Sequence, residues 1–187
     1  MIAIACMEQH TRGIGYQNNL LFNIKEDMKF FKEETYENIV VMGRKTFESM
    51  DSKPLPNRTN IVITSNPEYY SDNDTLIFRP IDVFLDYINN ISDTDNIYVI
   101  GGAQLYKELL PYCDKILLTE VDDKNIIADT FFPEFNDPFY NTWICHQGSI
   151  NENNGLKYRF NTYYKSSPYN GPLKYCDSKS PKDDVIL

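Results

Sequence analysis

The 187-residue sequence is poor in the residues that build metal centres, disulfide frameworks and nucleic-acid interfaces. It has four widely separated cysteines without a CxxC pair, and its only histidines are His10 and His146. This is too little for a typical zinc site or a disulfide framework. Basic side chains are in deficit, because 18 Lys and Arg stand against 27 Asp and Glu, a formal net charge of −9. We therefore expect no metal, no nucleic-acid partner and no anionic lipid surface, since the last two require a basic face.

Long apolar runs are also missing. No stretch approaches the roughly 20 apolar residues of a membrane-spanning helix, and the short apolar run after Met1 lacks the basic start of a signal peptide. We expect a protein without membrane association, located in the cytoplasm with reduced thiols. Hydrophobic residues make up 42% of the chain, enough for the core of one domain, which we place at residues 1–165. Residues 166–187 are rich in Ser, Pro, Lys and Asp and predict an extended or disordered tail.

The apolar segments that are present are short and lack polar alternation, which is typical of strands buried on both faces of a parallel sheet. Ile2–Met7 predicts such a strand in the middle of the sheet. Two further strands end in glycine and continue into helices, at residues 39–46 (IVVMGRKT) and 96–110 (NIYVIGGAQLYKELL). Turns of this kind lie at the carboxyl ends of parallel strands, so both would border one ligand-binding cleft. Neither turn spells GxGxxG, so an ordinary Rossmann fingerprint is absent.

The first of these turns carries two cations and a hydroxyl, Arg44, Lys45 and Thr46, at the start of a helix. Such a helix N-terminus favours an anion, although a tight strand-to-helix turn with solvated charges explains the pattern as well. Arg58, at the entrance of a strand predicted over Thr59–Thr64, is ordinarily read as a solvated arginine.

Within residues 18–31 (NNLLFNIKEDMKFF), Asn23 followed by Glu26 matches a capping box and predicts a helix that runs from Asn23 to about Tyr36. The apolar residues Ile24, Met28 and Phe31 follow at helical spacing and predict a core-facing stripe.

Asp27 falls on this stripe. A carboxylate set among apolar side chains has its pKa raised by burial and is available for proton chemistry or for binding a buried donor. The alternative is an aspartate in the first helical turn that the helix dipole favours.

Two loops and a hairpin complete the sequence-based prediction. Glu8–Asn23 predicts a loop long enough to close over a ligand, and residues 129–133 (DTFFP) predict a second loop. Thr142–Ser149 and Lys157–Tyr164 predict antiparallel strands around the turn residues 153–155 (NNG).

Nine short motifs in this order make the sequence resemble dihydrofolate reductase over residues 1–165. They are IAIAC, GIG with NNLLFN, Asp27 with Phe31, VVMGRKTFES, PLPNR, IVITS, YVIGGAQLY, LTEV and DTFFP. The resemblance implies an α/β single domain with a mostly parallel eight-stranded central sheet, about four flanking helices and an antiparallel last strand. It also implies reduction of 7,8-dihydrofolate to tetrahydrofolate with NADPH, in support of one-carbon metabolism, by a protein that binds antifolates and is a monomer.

The resemblance further implies three groups of site residues. The catalytic group is Asp27, Leu20, Phe22 and Tyr106. The substrate-binding group is Ile4, Ala5, Asp27, Met28, Phe31, Met50, Leu55, Arg58, Ile100 and Thr119. The cofactor-binding group is Cys6, Ile14, Gly15, Asn18, Gly43, Arg44, Lys45, Thr46, Thr64, Ser65, Asn66, Gly101, Gly102, Ala103, Gln104 and Leu105.

Within these groups, the resemblance gives individual residues distinct roles. Asp27 would bind the amide nitrogen and 2-amino group of the pterin ring, and Thr119 would reach the pterin amino group or Asp27, directly or through water. Arg58 would bind the α-carboxylate of the glutamate tail, a bidentate task that lysine performs poorly. The glycine turns would hold the pyrophosphate, with an unusual cis peptide at the second, and Ser65 with Arg44 or Lys45 would bind the 2′-phosphate.

The sequence departs from the family pattern at three places. Leu21-Phe22 replaces the usual Pro-Trp, so the indole N–H that orders a water near the carboxylate is missing. Gln104 stands where some members carry a second arginine for the 2′-phosphate, and the first loop is one residue longer at residues 9–11. We expect retained activity with an altered rate or pH dependence.

Two other functions fit parts of the same pattern. One is an NADPH-dependent reductase of the same fold that acts on a pyrimidine of riboflavin synthesis, although Asp27 with Arg58 favours a pterin with a carboxylate tail. The other is a non-catalytic module that keeps the nucleotide cleft.

Overall fold

A central sheet with helices on both faces forms the body of the protein in the computed structural model, which describes residues 1–70, 75–78, 80–90, 96–135 and 143–166. Its strands are β1 (Ile2–Glu8), β2 (Gly13–Tyr16), β3 (Asn19–Leu20), β4 (Ile39–Gly43), β5 (Thr59–Ile63), β6 (Thr75–Phe78), β7 (Ile97–Gly101), β8 (Lys115–Asp122), β9 (Thr130–Phe131), β10 (Trp143–His146), β11 (Asn151–Asn153) and β12 (Leu156–Lys165). Its helices are α1 (Lys25–Thr35), α2 (Arg44–Glu48), α3 (Ile81–Ile88) and α4 (Ala103–Leu109), and a 3₁₀ turn follows at Leu110–Tyr112.

Eight strands of the main sheet run in the order β10-β12-β8-β1-β7-β4-β5-β6, and the short β11 pairs with β12 beside this path. The pairs from β8 to β6 are parallel, whereas β12 is antiparallel to β8, β10 and β11. The mostly parallel sheet with an antiparallel last strand is therefore confirmed, and so is the central place of β1, between β7 and β8.

The parallel strands lack polar alternation because both faces of the sheet are covered, as predicted. Ala3 and Val41 enter one apolar cluster, while their chain neighbours Ile4 and Val40 enter another. All four side chains are at most 5% exposed. A continuous apolar run thus supplies two cores at once.

A second, three-stranded sheet forms where the sequence predicted only loops. Strand β2 pairs antiparallel with β3 and with β9, so the predictions of loops over Glu8–Asn23 and 129–133 were wrong in part. The backbone N–H of Gln17 donates to the Asp129 carboxylate over 2.8 Å and reinforces this pairing. Strands of two to four residues are too short to show a period, and β9 lies far along the chain from its partner.

The capping box predicted for α1 was also wrong. The N-cap is Ile24, one residue after Asn23, and no side chain caps the helix. The Glu26 carboxylate instead accepts a hydrogen bond of 2.9 Å from the Asn153 side chain. A long-range partner has replaced the local one that the spacing predicted.

The apolar stripe of α1 does not face the core along its length. Ile24 is 2% exposed, but Met28 is 46% exposed and Phe31 is half-buried. Asp27 is therefore half-buried at the border of the core and not among core side chains.

The last hairpin has its tight turn where the sequence placed it. Asn154 and Gly155 have φ values of 51° and 82°, the positive values that a two-residue hairpin turn needs. The turn joins β11 to β12, and β10 pairs with the far half of β12. The predicted start of the first strand, Thr142, lies outside the described residues.

Gly148 lies between β10 and β11, where the chain packs closely against β12. A Cβ atom on Gly148 would lie 2.3 Å from the carbonyl oxygen of Phe160, and the backbone N–H of Gly148 donates to Asn161 Oδ1 over 3.1 Å. We expect Gly148→Ala to lower the free energy of unfolding by about 1–3 kcal/mol, because the backbone must move to admit the methyl group. Urea unfolding measures this loss, with Gly155→Asn as the control, since no atom lies within 4 Å of a Cβ at Gly155. An unchanged stability of Gly148→Ala would contradict the packing.

Within the described part of the chain, no helix is both long and apolar enough to span a membrane. The predicted tail begins at Ser166, and the rest of it lies outside the described residues, so the division into a domain at 1–165 and a tail at 166–187 stays a prediction.

Candidate active site

The Asp27 carboxylate meets two hydrogen-bond donors from the central sheet. Cys6 on β1 and Thr119 on β8 are register partners on adjacent parallel strands, so their side chains emerge on one face of the sheet. The Thr119 hydroxyl and the Cys6 thiol both form side-chain hydrogen bonds with Asp27. Thr119 is 1% exposed, so the donor set is built into the core and not laid over the surface.

Burial raises the pKa of Asp27, and the hydrogen bonds from Thr119 and Cys6 oppose this rise without cancelling it. Burial also raises the pKa of Cys6, to well above its ordinary value, and the nearby Asp27 charge raises it further. The thiol therefore stays protonated and available as a donor.

Two tyrosines add to the surroundings of Asp27. Burial raises the pKa of both Tyr106 and Tyr158, so both rings are neutral at physiological pH. Glu26, the neighbour on α1, is exposed. The carboxylate thus has the neutral donors Cys6 and Thr119 on its core side.

An apolar wall lies beside this carboxylate. Five of the predicted substrate-binding residues belong to one apolar cluster or pack against it: Ile4, Phe31, Met50, Leu55 and Ile100. Ala5 packs against the cluster on the other face of the sheet, and Met28 is exposed. The structure therefore brings together most of the predicted pterin and aminobenzoyl pocket.

Of the remaining predicted catalytic residues, Phe22 and Tyr106 are buried and Leu20 is not. Phe22 is 7% exposed and packs with Val121 and Tyr158, in a cluster that Cys6 also touches. The Tyr106 hydroxyl donates a 2.7 Å hydrogen bond to the carbonyl oxygen of Ile4. Leu20 ends the short strand β3 and is 70% exposed.

The two strand–glycine–helix turns face each other. A Cβ atom on Gly43 would lie 3.8 Å from both the carbonyl oxygen of Gly101 and the nitrogen of Gly102. The hydroxyl of Thr46 would lie 3.5 Å from a Cβ on Gly101 and 3.3 Å from one on Gly102. The peptide bond between the two glycines is cis, as the resemblance implied, and Gly101 has a φ of 124°. Side chains at these positions would fill the space between the turns.

The cofactor-binding residues of the second turn differ in burial. Leu105 is 5% exposed in the core, Ala103 is half-buried, and the exposed Gln104 donates to the Glu108 carboxylate. In the first loop, Gly15 is buried in β2, Ile14 packs against the core and Asn18 is exposed with a φ of 63°.

The residues predicted for the 2′-phosphate differ in their partners and in their exposure. Arg44 donates to both carboxylate oxygens of Glu48 over 2.9 Å, one helical turn further on. Lys45 and Ser65 are exposed. Thr64 is 7% exposed and accepts the backbone N–H of Asn66, so it shapes the loop after β5.

Arg58 is held by three neutral acceptors. Nε donates to Thr35 Oγ1 over 2.9 Å, one terminal nitrogen donates to the Pro56 carbonyl oxygen over 2.8 Å, and the other donates to the Lys32 carbonyl oxygen over 3.3 Å. Among the described residues, no carboxylate forms an ion pair with Arg58. Arg58 is therefore not an ordinary solvated arginine, because its guanidinium is oriented by hydrogen bonds and has no counter-charge among the described residues.

Sequence reasoning missed two residues of this region, Thr35 and Asn60. Both are buried polar residues that bind the segment carrying Arg58. Asn60 had a visible signal, since an asparagine inside an apolar strand requires hydrogen-bond partners. Thr35 had no such signal in the sequence, because a threonine near the end of an exposed helix is common and does not by itself indicate a buried hydrogen bond.

The fold defines an α/β protein whose two glycine turns lie at the carboxyl ends of parallel strands, the edge at which such sheets bind small ligands. Comparison with known proteins narrows this class. The family model described as dihydrofolate reductase matches residues 1–165, and the chain belongs to the dihydrofolate reductase family.

Relatives of this chain span most of its length. A dihydrofolate reductase of Bacillus subtilis is 36% identical over 167 residues, which are 89% of this chain and 96% of the relative. A bifunctional dihydrofolate reductase-thymidylate synthase of Paramecium tetraurelia is 45% identical over 111 residues, 58% of this chain and 23% of that protein. A solved structure of dihydrofolate reductase from Enterococcus faecalis, complexed with NADP(H) and RAB-propyl, superposes with a TM-score of 0.75 at 34% identity and covers 89% of this chain and 96% of that one.

Proposed function

We propose that the cleft around Asp27 carries out the reaction of the family, the NADPH-dependent reduction of 7,8-dihydrofolate to 5,6,7,8-tetrahydrofolate. The observation that carries this proposal is the Asp27 carboxylate, oriented by Cys6 and Thr119 next to an apolar wall. Such a group binds a flat ring that has an amide N–H and an amino group on one edge.

In this proposal the pterin ring lies against the apolar wall with its amide edge on Asp27. The carboxylate accepts hydrogen bonds from the ring amide nitrogen and the 2-amino group, and its negative charge favours protonation of the ring. The proton that N5 gains comes from water and not directly from Asp27. Phe22 covers one side of this region with an apolar ring, where the family usually has an indole N–H.

The cofactor residues fit a nucleotide diphosphate by shape. Gly43, Gly101 and Gly102 carry no side chains of their own, so the backbone N–H groups of these turns can approach phosphate oxygens closely. When bound, NADPH supplies the hydride. Lys45, exposed and without an ion-pair partner among the described residues, is better placed than Arg44 to bind the 2′-phosphate, because Arg44 binds Glu48.

Arg58 completes the substrate site. Its guanidinium has no counter-charge among the described residues, so the carboxylate of the glutamate tail supplies one. This requirement favours dihydrofolate over the pyrimidine of riboflavin synthesis, which has no such carboxylate.

Steady-state oxidation of NADPH on addition of dihydrofolate tests the proposal. We expect turnover with dihydrofolate and none with the pyrimidine of riboflavin synthesis. The reverse preference would support the same-fold reductase. Tight NADPH binding without turnover of either substrate would support a non-catalytic module.

Replacement of Cys6 tests the donor set of Asp27. Because the thiol lowers the pKa of the carboxyl, we expect Cys6→Ala to raise the pKa of Asp27, whereas Cys6→Ser keeps a donor and changes it less. Isotope-edited NMR titration of the Asp27 carboxyl carbon measures both shifts. Cys145→Ala is the matched control, another half-buried thiol that lies on β10. Equal pKa values in Cys6→Ala and the unmodified protein would show that the thiol does not act on Asp27.

Antifolate binding, a monomeric state and a cytoplasmic location belong to the same proposal. They are supported by family membership, and each stays a prediction.

A further inference from the structure

We propose that Asn60 and Thr35 are positioning residues for the reaction: together they form a neutral clamp that holds Arg58 ready for the substrate carboxylate. The inference rests on the proposed function and adds to it two residues that do not themselves touch the substrate.

Asn60 is the inner half of the clamp. It lies on β5, is 2% exposed, and uses its whole amide group on the preceding turn. Its Oδ1 accepts the backbone N–H of Leu55 over 2.9 Å, while its Nδ2 donates to the carbonyl oxygens of Leu55 at 2.9 Å and Arg58 at 3.0 Å. One buried side chain thus binds both ends of the segment 55–58 to the start of β5.

Thr35 is the outer half of the clamp. It is the buried residue of α1, 0% exposed, and its hydroxyl donates to the carbonyl oxygen of Phe31 over 2.7 Å. A hydroxyl has one proton, and this bond uses it, so the lone pairs are left for the Nε–H of Arg58 at 2.9 Å. The direction of the second bond is therefore fixed by the first.

The clamp leaves the outer part of the guanidinium free. Each terminal nitrogen of Arg58 donates one N–H to a carbonyl oxygen, of Pro56 or of Lys32, and keeps one more. All acceptors are neutral, so the positive charge is oriented without being neutralised. Burial lowers the pKa of Arg58, because the guanidinium has lost part of its contact with water.

This arrangement differs from that of an arginine that only stabilises the fold. A structural arginine would be matched by an acidic partner, as Arg44 is by Glu48. The neutral acceptors of the clamp compete only weakly with the substrate carboxylate for the guanidinium of Arg58. They also restrict the rotamers of Arg58 before the substrate arrives, which is the general advantage of preorganisation.

The test compares two substrates in the full-length protein, dihydrofolate and a dihydropterin that lacks the aminobenzoylglutamate tail. We expect Asn60→Ala and Thr35→Val each to raise KM for dihydrofolate about tenfold while kcat changes little, because a bond to a charged group is misaligned. KM for the tail-less substrate stays unchanged in both variants. Thr35→Ser keeps the hydroxyl and restores most of the loss.

Asn161→Ala is the matched control. Asn161 is also buried, at 3% exposure, and its side chain also holds a backbone N–H, that of Gly148. It lies on β12, separated from β5 by several strands. We expect this variant to lose stability without discriminating between the two substrates.

Two results would overturn the clamp: an equal rise of KM for both substrates, or no rise for dihydrofolate. If the unmodified protein turned over neither substrate, the proposed function would fail, and the clamp would be tested by the affinity for aminobenzoylglutamate alone. Weaker binding of this fragment in Asn60→Ala and Thr35→Val supports the clamp, and unchanged binding overturns it.

Discussion

Asp27→Asn is expected to lower kcat/KM for dihydrofolate by about 10²- to 10⁴-fold, the range that a positioned acid–base group typically contributes. The amide has the size of the carboxyl but no charge, so it cannot favour protonation of the ring. Its amide nitrogen is a donor and cannot accept a hydrogen bond. It would therefore face either the donors Cys6 and Thr119 or the amide N–H of the ring, and a hydrogen bond to that group would be lost.

Affinity for NADPH distinguishes this loss from damage to the fold. The glycine turns do not involve Asp27, so we expect the NADPH dissociation constant of Asp27→Asn to stay within about twofold of the unmodified value. Asp86→Asn, on the exposed surface of α3, serves as the control for the charge change. Full activity of Asp27→Asn would remove the observation on which the proposed function rests.

Gly102→Val is expected to weaken NADPH binding by about 10- to 100-fold. Its Cβ would lie 3.3 Å from Thr46 Oγ1, and the branched side chain would extend into the space between the two turns. Overpacking of about 1–3 kcal/mol corresponds to this range of affinity. The backbone of Gly102 has a φ of −85°, which any residue adopts, so the cost falls on the cleft and not on the conformation.

Fluorescence titration with NADPH measures the effect, and titration with dihydrofolate alone provides the comparison. We expect dihydrofolate affinity to change little, since Asp27 on α1 and Arg58 before β5 lie outside the turns. Thr46→Val, which keeps the shape and removes the hydroxyl, separates steric filling from loss of that hydroxyl. Normal NADPH affinity in Gly102→Val would mean that the diphosphate lies elsewhere.

Patterns among residues close together in sequence were sufficient to predict the strands and turns that position the site. The apolar run of β1 and the glycines after β4 and β7 predicted three strands and two turns, because burial on both faces and a strand-to-helix turn each depend on residues close in sequence. Asp27 was found for the same reason, as one acid among apolar neighbours on a helix.

The parts that failed depend on partners far along the chain. Strand β9 completes the small sheet with β2, and Asn153 binds Glu26 in place of the predicted capping box. The pairing of Arg44 with Glu48 is local, but helical spacing does not show whether two charges meet each other or a ligand, so the phosphate role of Arg44 stays a prediction. The roles assigned to the individual site residues stay predictions until the variants are measured.

The contact between Thr119 and Asp27 has a consequence for the order in which the protein assembles. Asp27 is made early in synthesis, whereas its donor Thr119 lies on β8, which follows most of the chain, and β8 must pair with β1 to bring the donor into place. Pairings of such high contact order form slowly. A nascent chain released before β8 would therefore carry its acid, its first strand and both glycine turns, and would still lack a catalytic centre.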